Sequence, residues 1–433
     1  MFDASRAYAF VSLLFYTAFV GAVFLLAERA GGPRAALGAG VLAAFSPTFI
    51  TQYSLSNDGN YAEVLALGTW ALLLLVLWLE REKSRAAISL ASGVLLGLAF
   101  WCHILAIAHV ATVALVMLAV ARRRVVGSWA ALGAGLALGY LPGLIWNAAN
   151  GWLSFAYLLP RRHWEALKPQ SDAGAGLGER LYLIATDHAP VLFGYDPGHP
   201  ALLDNVMWGL ASGSALLFLA AVVATARQAW REGPGPNAVL LAYLAANVFI
   251  ATVALPHVDS NPRYLLFSFA VVAVLLPQLL ASGRRRLLLV ALCVFGALGS
   301  LGQGLTNMRS DARWRTFAAA LEAAGVEHCY TDFHIASRLN FLSRERIRCS
   351  SRLGPTTLEY YDYESAVKRA DAAALVAVNP TNADKLERKL ARLGVGFERL
   401  DLMKPVLIPE RLVTPDELFP QRASTGVVAS AVR

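Results

Sequence analysis

Two carboxylates stand five residues apart in SLSNDGNYAEVLALG, residues 54–68: Asp58 in a polar turn, Glu63 where the chain becomes apolar again. An acid at that point can cap a helix, because the positive end of the helix dipole favours a carboxylate. The pair can equally bind a metal, a sugar hydroxyl or an acceptor nucleophile at a membrane surface. Both readings are open from the residues alone.

A second polar stretch, HVDSNPRYLLFS, residues 257–268, carries His257, Asp259, Arg263 and Tyr264. Arg263 opens an apolar run, where a guanidinium can hold a phosphate or simply reach for the interface. His257 and Asp259 offer two metal ligands without a third, and with Tyr61 and Tyr264 they are candidates to bind an acceptor or a sugar. A third stretch, LSFAYLLPRRHWEALK, places Arg161 and Arg162 after an aromatic segment. The fork of an arginine matches phosphate oxygens, and an amphipathic helix resting on anionic headgroups would use the same residues. Trp146, Trp152 and Trp164 read as interface anchors, His103 and His109 as hydrogen-bonded core histidines, and Asn247 as a bond between helices.

The elements that must position these residues are membrane helices. Of 433 residues 57% are hydrophobic and 16% charged, and the mean hydropathy is +0.50. A soluble domain of this size covers its surface with more charge. Ten apolar runs approach the span of a bilayer, near 7–27, 35–53, 62–79, 86–101, 104–121, 128–146, 202–226, 238–256, 264–281 and 287–304. The fold class read here is an α-helical multi-pass membrane domain of about ten transmembrane helices, followed by a small extracytoplasmic α/β domain. The boundaries are 1–305, with a long outer loop at 147–201, then 306–420, then a disordered tail at 421–433.

After Thr306 helix-like and strand-like stretches alternate, among them EHCYTD, RIRCSS and AALVAV, which predicts a mostly parallel sheet. Cys329 and Cys349 fall in two of these strands and pair if the strands are adjacent in an oxidising compartment. Residues 305–433 hold 19 Lys and Arg against 16 Asp and Glu, so this part is no basic nucleic-acid module.

Orientation follows from charge. Arg29 and Arg34, Arg81, Lys83 and Arg85, Arg122 to Arg124, Arg227 and Arg231, and Arg284 to Arg286 occupy every second loop. The turns between them, 54–61, 102–103 and 257–262, hold no Lys or Arg. By the positive-inside rule the basic loops are cytoplasmic, which predicts that Asp58, the 147–201 loop, Arg263 and the C-terminal domain share the outer face. The N-terminus is then also outside, an arrangement that suggests one more spanning segment before Met1. The net charge of +8 serves this topology and implies no nucleic-acid partner.

In order and spacing the segments SRAYAFVSLLFYTAFVGAVFLLAERAGGPRAALGAGVLAAFSPTFI, GNYAEVLALG, LGYLPGLIWNAANGWLSF, NPRYLLFSFAVVAVLLP and YTDFHIASRLNFLSRERI resemble the GT-C membrane glycosyltransferases. Within them the chain looks like the branch of protein O-mannosyltransferases and aminoarabinose transferases. The resemblance covers nearly the whole chain, but the family's first spanning segment and acidic first outer loop have no counterpart.

It implies an integral enzyme of the cell (inner) membrane that moves a sugar from a polyprenyl-phosphate donor to a glycan, lipid or protein acceptor on the extracytoplasmic face. Asp58 and Glu63 fall at the family's second acidic position and would be catalytic; Arg263, Arg161 and Arg162 would bind the donor phosphate. The resemblance makes no cofactor certain, and a divalent metal is left open. Two alternatives stand beside this reading: a non-catalytic or truncated envelope protein of the same fold, and a transporter of a lipid-linked substrate. Transporters tend to carry internal repeats and polar midplane residues, and neither feature marks this sequence.

Overall fold

The computed structural model describes residues 4–55, 60–81, 83, 85–121, 126–152, 154–155, 176–195, 201–254, 262–280, 283–354 and 361–419. Two compact units divide the chain, Met1–Gln303 and Gly304–Arg433.

The first unit opens with α1 (Ala4–Ala44), a helix interrupted at Gly32 (φ 80°, ψ −176°) just before Pro33. Only glycine takes that backbone conformation without strain. There the helix doubles back, because the Tyr16 hydroxyl donates to the Ala43 carbonyl at 2.8 Å. In a straight helix those residues would lie about 40 Å apart. The runs 7–27 and 35–53 are therefore the two arms of a hairpin, the second continued by α2 (Thr48–Leu55).

The longer helices that follow are α3 (Tyr61–Glu80), α4 (Arg85–Cys102), α5 (Ile107–Ala121), α6 (Val126–Gly139), α7 (Leu141–Ala149), α8 (Ala201–Glu232), α9 (Pro236–Phe249), α10 (Phe269–Leu280) and α11 (Arg286–Ala323). Among the described residues each of the ten apolar runs is mainly helical. Among the described residues six helices are long and apolar enough to cross a membrane, or seven with the bent pair α6–α7 counted as one span. The difference from ten lies in the folding-back of α1 and in irregular turns that shorten the helices 104–120 and 236–252.

Burial separates the central helices from the peripheral ones. The most apolar window of α3 is 72% buried and that of the 262–280 segment 78%, against 17% for α8 and α11. Phe19, Leu72, Trp78, Tyr243, Phe267 and Phe269 fill the core between them.

Helices α4 and α6 meet backbone to backbone. A Cβ on Gly93 would lie 2.3 Å from the Leu132 carbonyl oxygen, and one on Gly97 2.4 Å from that of Leu136. Gly135 and Gly139 return the contact against Leu90 and Val94, each at 2.2 Å. Small residues at four-residue spacing let membrane helices approach this closely.

The second unit holds a five-stranded sheet of order β2-β1-β3-β5-β4. Its strands are β1 (His328–Tyr330), β2 (Arg348–Ser350), β3 (Ala374–Val376), β4 (Phe397–Asp401) and β5 (Pro405–Pro409). β1 runs parallel to β2 and β3. β5 is antiparallel to both β3 and β4, so the expected mostly parallel sheet is mixed: a hairpin supplies its second half.

Neighbouring strand residues point to opposite faces. Val376 and Val406 pack with Leu321, Ile335 and Leu339 on one side, while Leu375 and Leu407 pack with Val367, Leu386 and Leu390 on the other. Cys329 stands opposite Cys349 in the β1–β2 register. Their Cα atoms are 4.4 Å apart and their sulfurs are bonded. The tail 421–433 lies outside the described residues.

Candidate active site

The N-terminal end of α3 is set by Asn60, whose left-handed backbone (φ 56°, ψ 36°) starts the helix. Its side-chain amide donates to the Cys102 carbonyl at 3.3 Å, tying the start of α3 to the end of α4. Tyr61, the first residue of α3, is 2% exposed because aromatic rings enclose it. Its ring centroid lies 5.2 Å from that of Tyr53 and 5.2 Å from that of His103. Phe267 stands 5.8 Å away on a further side.

Arg263 enters this enclosure from another element. Residues Pro262–Ser268 form a tight 3-10 helix leading into α10, and Pro at its first position is pre-set for a helical start. Leu265, Leu266, Phe267 and Ser268 are all buried, which leaves the half-buried Arg263 at the rim. Its guanidinium lies 5.6 Å from the centre of the Tyr264 ring. Arg263 is close enough to interact electrostatically with Tyr61, Tyr264 and Tyr53, and with His103.

Two hydrogen bonds anchor the segment behind it. The Tyr243 hydroxyl donates to the Phe267 carbonyl at 3.2 Å, and the Ser268 hydroxyl donates to Asn247 Oδ1 at 3.0 Å. Asn247 thus makes an interhelical bond. Helical irregularity gathers nearby: Ile184–His188 and Ile250–Ala254 are π-turns, a geometry frequent at functional sites. Arg180 bridges toward them, donating to the Thr252 carbonyl at 3.2 Å.

Among the residues singled out from the sequence, Tyr61, Arg263 and Tyr264 come together. Glu63 is 9% exposed and interacts with Cys102. At 100° per residue it lies about 200° round α3 from Tyr61, so it does not share the face that meets Arg263. Asp58, Arg161, Arg162, His257 and Asp259 lie outside the described residues, as does Trp164. Trp146 and Trp152 are exposed.

The two histidines differ from one another. His103 is hydrogen-bonded, since its Nδ1 accepts from the Leu105 backbone at 3.1 Å. His109 is fully buried, and among the described residues neither ring nitrogen has a hydrogen-bond partner, which corrects the expectation of a satisfied core histidine. It packs by ring contact instead, 4.4 Å from Tyr243 between centroids. Tyr53 and His103 were not legible as site residues: an aromatic at the end of an apolar run looks like an anchor until tertiary contacts place it. Among the described residues, no group of three or more His, Cys, Asp or Glu could hold a metal.

A family model described as dolichyl-phosphate-mannose-protein mannosyltransferase matches residues 2–146, about a third of the chain. The apo crystal structure of ArnT from Cupriavidus metallidurans superposes with a TM-score of 0.59 at 13% identity, covering 94% of this chain and 83% of that one. The fold is that of the GT-C membrane glycosyltransferases. ArnT bound to undecaprenyl phosphate gives a TM-score of 0.44 at 15% identity, covering 93% and 83%. An Archaeoglobus fulgidus oligosaccharyltransferase complexed with zinc and sulfate gives 0.42 at 15%, covering 85% and 56%. No curated protein sequence matches significantly. The segment that matches the dolichyl-phosphate-mannose-protein mannosyltransferase model, residues 2–146, contains Tyr53, Tyr61 and His103, one wall of the enclosure around Arg263.

Proposed function

We propose that this membrane protein transfers a sugar from a polyprenyl-phosphate donor to an acceptor on the extracytoplasmic face of the cell membrane. The observation that carries the reading is Arg263 set among Tyr53, Tyr61, Tyr264 and His103, with one wall of that enclosure, Tyr53, Tyr61 and His103, inside the part of the chain that matches a dolichyl-phosphate-mannose-protein mannosyltransferase model.

In this reading the acceptor nucleophile attacks the anomeric carbon of the donor sugar. The bond from that carbon to the phosphate oxygen breaks, and the polyprenyl phosphate leaves with the electron pair. A carboxylate takes the acceptor proton. Asp58 and Glu63 are the acids available; Glu63 is turned away from Tyr61, so the proton is assigned to Asp58. Arg263 balances the charge that develops on the departing phosphate. Arg161 and Arg162 supply further phosphate contacts, while His257, Asp259, Tyr61 and Tyr264 contact the sugar or the acceptor.

The extracytoplasmic assignment is supported by thirteen Lys and Arg in alternate loops. The Cys329–Cys349 disulfide supports it for the C-terminal unit, since disulfides persist in oxidising compartments.

The test supplies purified protein in lipid with polyprenyl-phosphate sugars and measures release of polyprenyl phosphate. Asp58→Asn and Arg263→Gln should each lower release by roughly 10²–10³-fold while the protein stays in the membrane. Undiminished release in both variants would remove these residues from the site.

A further inference from the structure

We propose that His103 is a second contact to the donor phosphate, giving a neutral hydrogen bond from Nε2 beside the charged fork of Arg263. The proposal rests on the reading of Arg263 given above and adds to it a residue that sequence reasoning assigned to the core.

The first observation is what fixes the ring. His103 precedes the short 3-10 turn Ile104–Ala106 and caps it, its Nδ1 accepting from the Leu105 backbone. A nitrogen that accepts carries no proton, so the ring proton is assigned to Nε2, which is then a donor only. Among the described residues Nε2 donates to nothing, and the side chain is half-buried at the rim rather than in the core. The tautomer is set by a backbone contact, so the donor stands ready without any partner to hold it.

The second observation is where that donor stands. His103 leans on the Tyr61 ring at 5.2 Å and feels the charge of Arg263, which also reaches Tyr61 and Tyr53. Both side chains adjoin Tyr61, so an acceptor bound beside its ring meets the Nε2 donor as well as the guanidinium. A phosphate offers several oxygens, enough for an arginine fork and an imidazole N–H together. The arrangement also suits a leaving group. A neutral donor strengthens as the oxygen gains charge, whereas a second fixed cation would hold the ground state equally.

The cap and the donor use different nitrogens, so they can be separated. Asparagine keeps an acceptor near the position of Nδ1 and has no group near Nε2. Glutamine places an amide N–H near Nε2 and gives up the cap. Binding of undecaprenyl phosphate is measured on the full chain in nanodiscs, for wild type, His103→Asn, His103→Gln and Arg263→Gln, with thermal unfolding recorded in parallel. His103→Asn should bind about ten- to a hundredfold more weakly with little change in unfolding temperature. His103→Gln should bind nearly as wild type and unfold earlier.

Wild-type affinity in His103→Asn, with weakened binding in Arg263→Gln, would overturn the role of His103 and leave the phosphate site standing. Equal losses in the asparagine and glutamine variants would show that the ring acts by its shape, and would also overturn it. Wild-type affinity in both His103→Asn and Arg263→Gln, or no binding by the wild type, would overturn the proposed function itself. Inorganic phosphate should displace the lipid only in large excess; displacement at equal concentration would overturn assignment to a lipid-linked phosphate.

Discussion

The imidazole of His109 lies against the backbone of Gly68, so closely that a Cβ at Gly68 would fall 2.3 Å from Nε2 and 2.4 Å from Cδ2. Gly68 is two turns along α3 from Tyr61 and on the same face. The face that presents Tyr61 to Phe267 therefore also seats His109, whose ring stands 6.1 Å from that of Phe267. One packed column links the rim of the site to the interior of the first unit.

Gly68→Ala should destabilise the protein by about 1–3 kcal/mol, the usual cost of forcing atoms into a filled interior. The ring cannot retreat, because Tyr243 backs it at 4.4 Å. In Gly68→Ala/His109→Ala the new methyl occupies part of the vacated space, so the double variant should lose less than the sum of the two single ones. Thermal unfolding of the four proteins in the same lipid checks this. Strict additivity would mean that the two residues do not share the contact.

A second prediction contrasts two glycines of α6. Gly139→Ala would drive a methyl into the Val94 carbonyl at 2.2 Å and should cost about 1–3 kcal/mol. Gly133 has open space where its Cβ would be, so Gly133→Ala should be neutral or stabilising by up to about 1 kcal/mol through helix propensity. Equal effects on unfolding temperature would argue against the α4–α6 backbone contact.

The sequence showed where helices are because apolar runs of that length have few other structures open to them. It did not show that the chain between the first two runs stays helical up to Gly32 and resumes at Pro33, since a polar AERAGGPRA segment reads equally well as a loop. Arg263 was legible as the cation that opens an apolar run. The enclosure around it was not, because Tyr53, Tyr61 and His103 belong to three separate stretches that only packing unites. In the second unit EHCYTD, RIRCSS and AALVAV gave β1, β2 and β3. β4, written FERLD with its side chains mostly exposed, lacks the apolar alternation that marks a strand, and the antiparallel hairpin it forms with β5 went unread.

The Cys329–Cys349 bond closes a loop with a sequence separation of 20 between two neighbouring strands. Cross-linking a loop of that length stabilises by about 3 kcal/mol in the chain-entropy description. Both sulfurs sit in the core with Ile347 and Leu339, and β2 pairs along one side only, with β1. Cys349→Ser should therefore loosen β2 first. Hydrogen exchange of the full chain should show faster exchange at Cys349 and Ser350, with α3 and α10 unchanged. Unchanged protection of β2 would mean that its packing alone holds it.

The last turn of the second unit makes its stability depend on pH in one direction. Thr414 caps the helix Pro415–Leu418, its hydroxyl accepting from the Glu417 backbone while Glu417 Oε1 accepts from the Thr414 backbone at 3.0 Å. Arg411 donates to the other carboxylate oxygen at 2.9 Å. The Thr414 N–H is the largest influence holding the Glu417 carboxyl below its ordinary value; partial burial opposes it, and the Arg411 guanidinium adds to the lowering. The folded chain thus binds this proton less readily than the unfolded chain, whose glutamates titrate near ~4.3. The carboxylate's contribution is fully present above that value and is lost as pH falls through the lower folded value. Glu417→Gln should therefore be less stable than wild type at pH 6, with the gap closing as pH falls below the ordinary glutamate range near ~4.3. Protection of the Glu417 and Leu418 amides against hydrogen exchange, compared between the two proteins at each pH, reads that gap; a gap of constant size would show that the carboxylate charge contributes nothing to the cap.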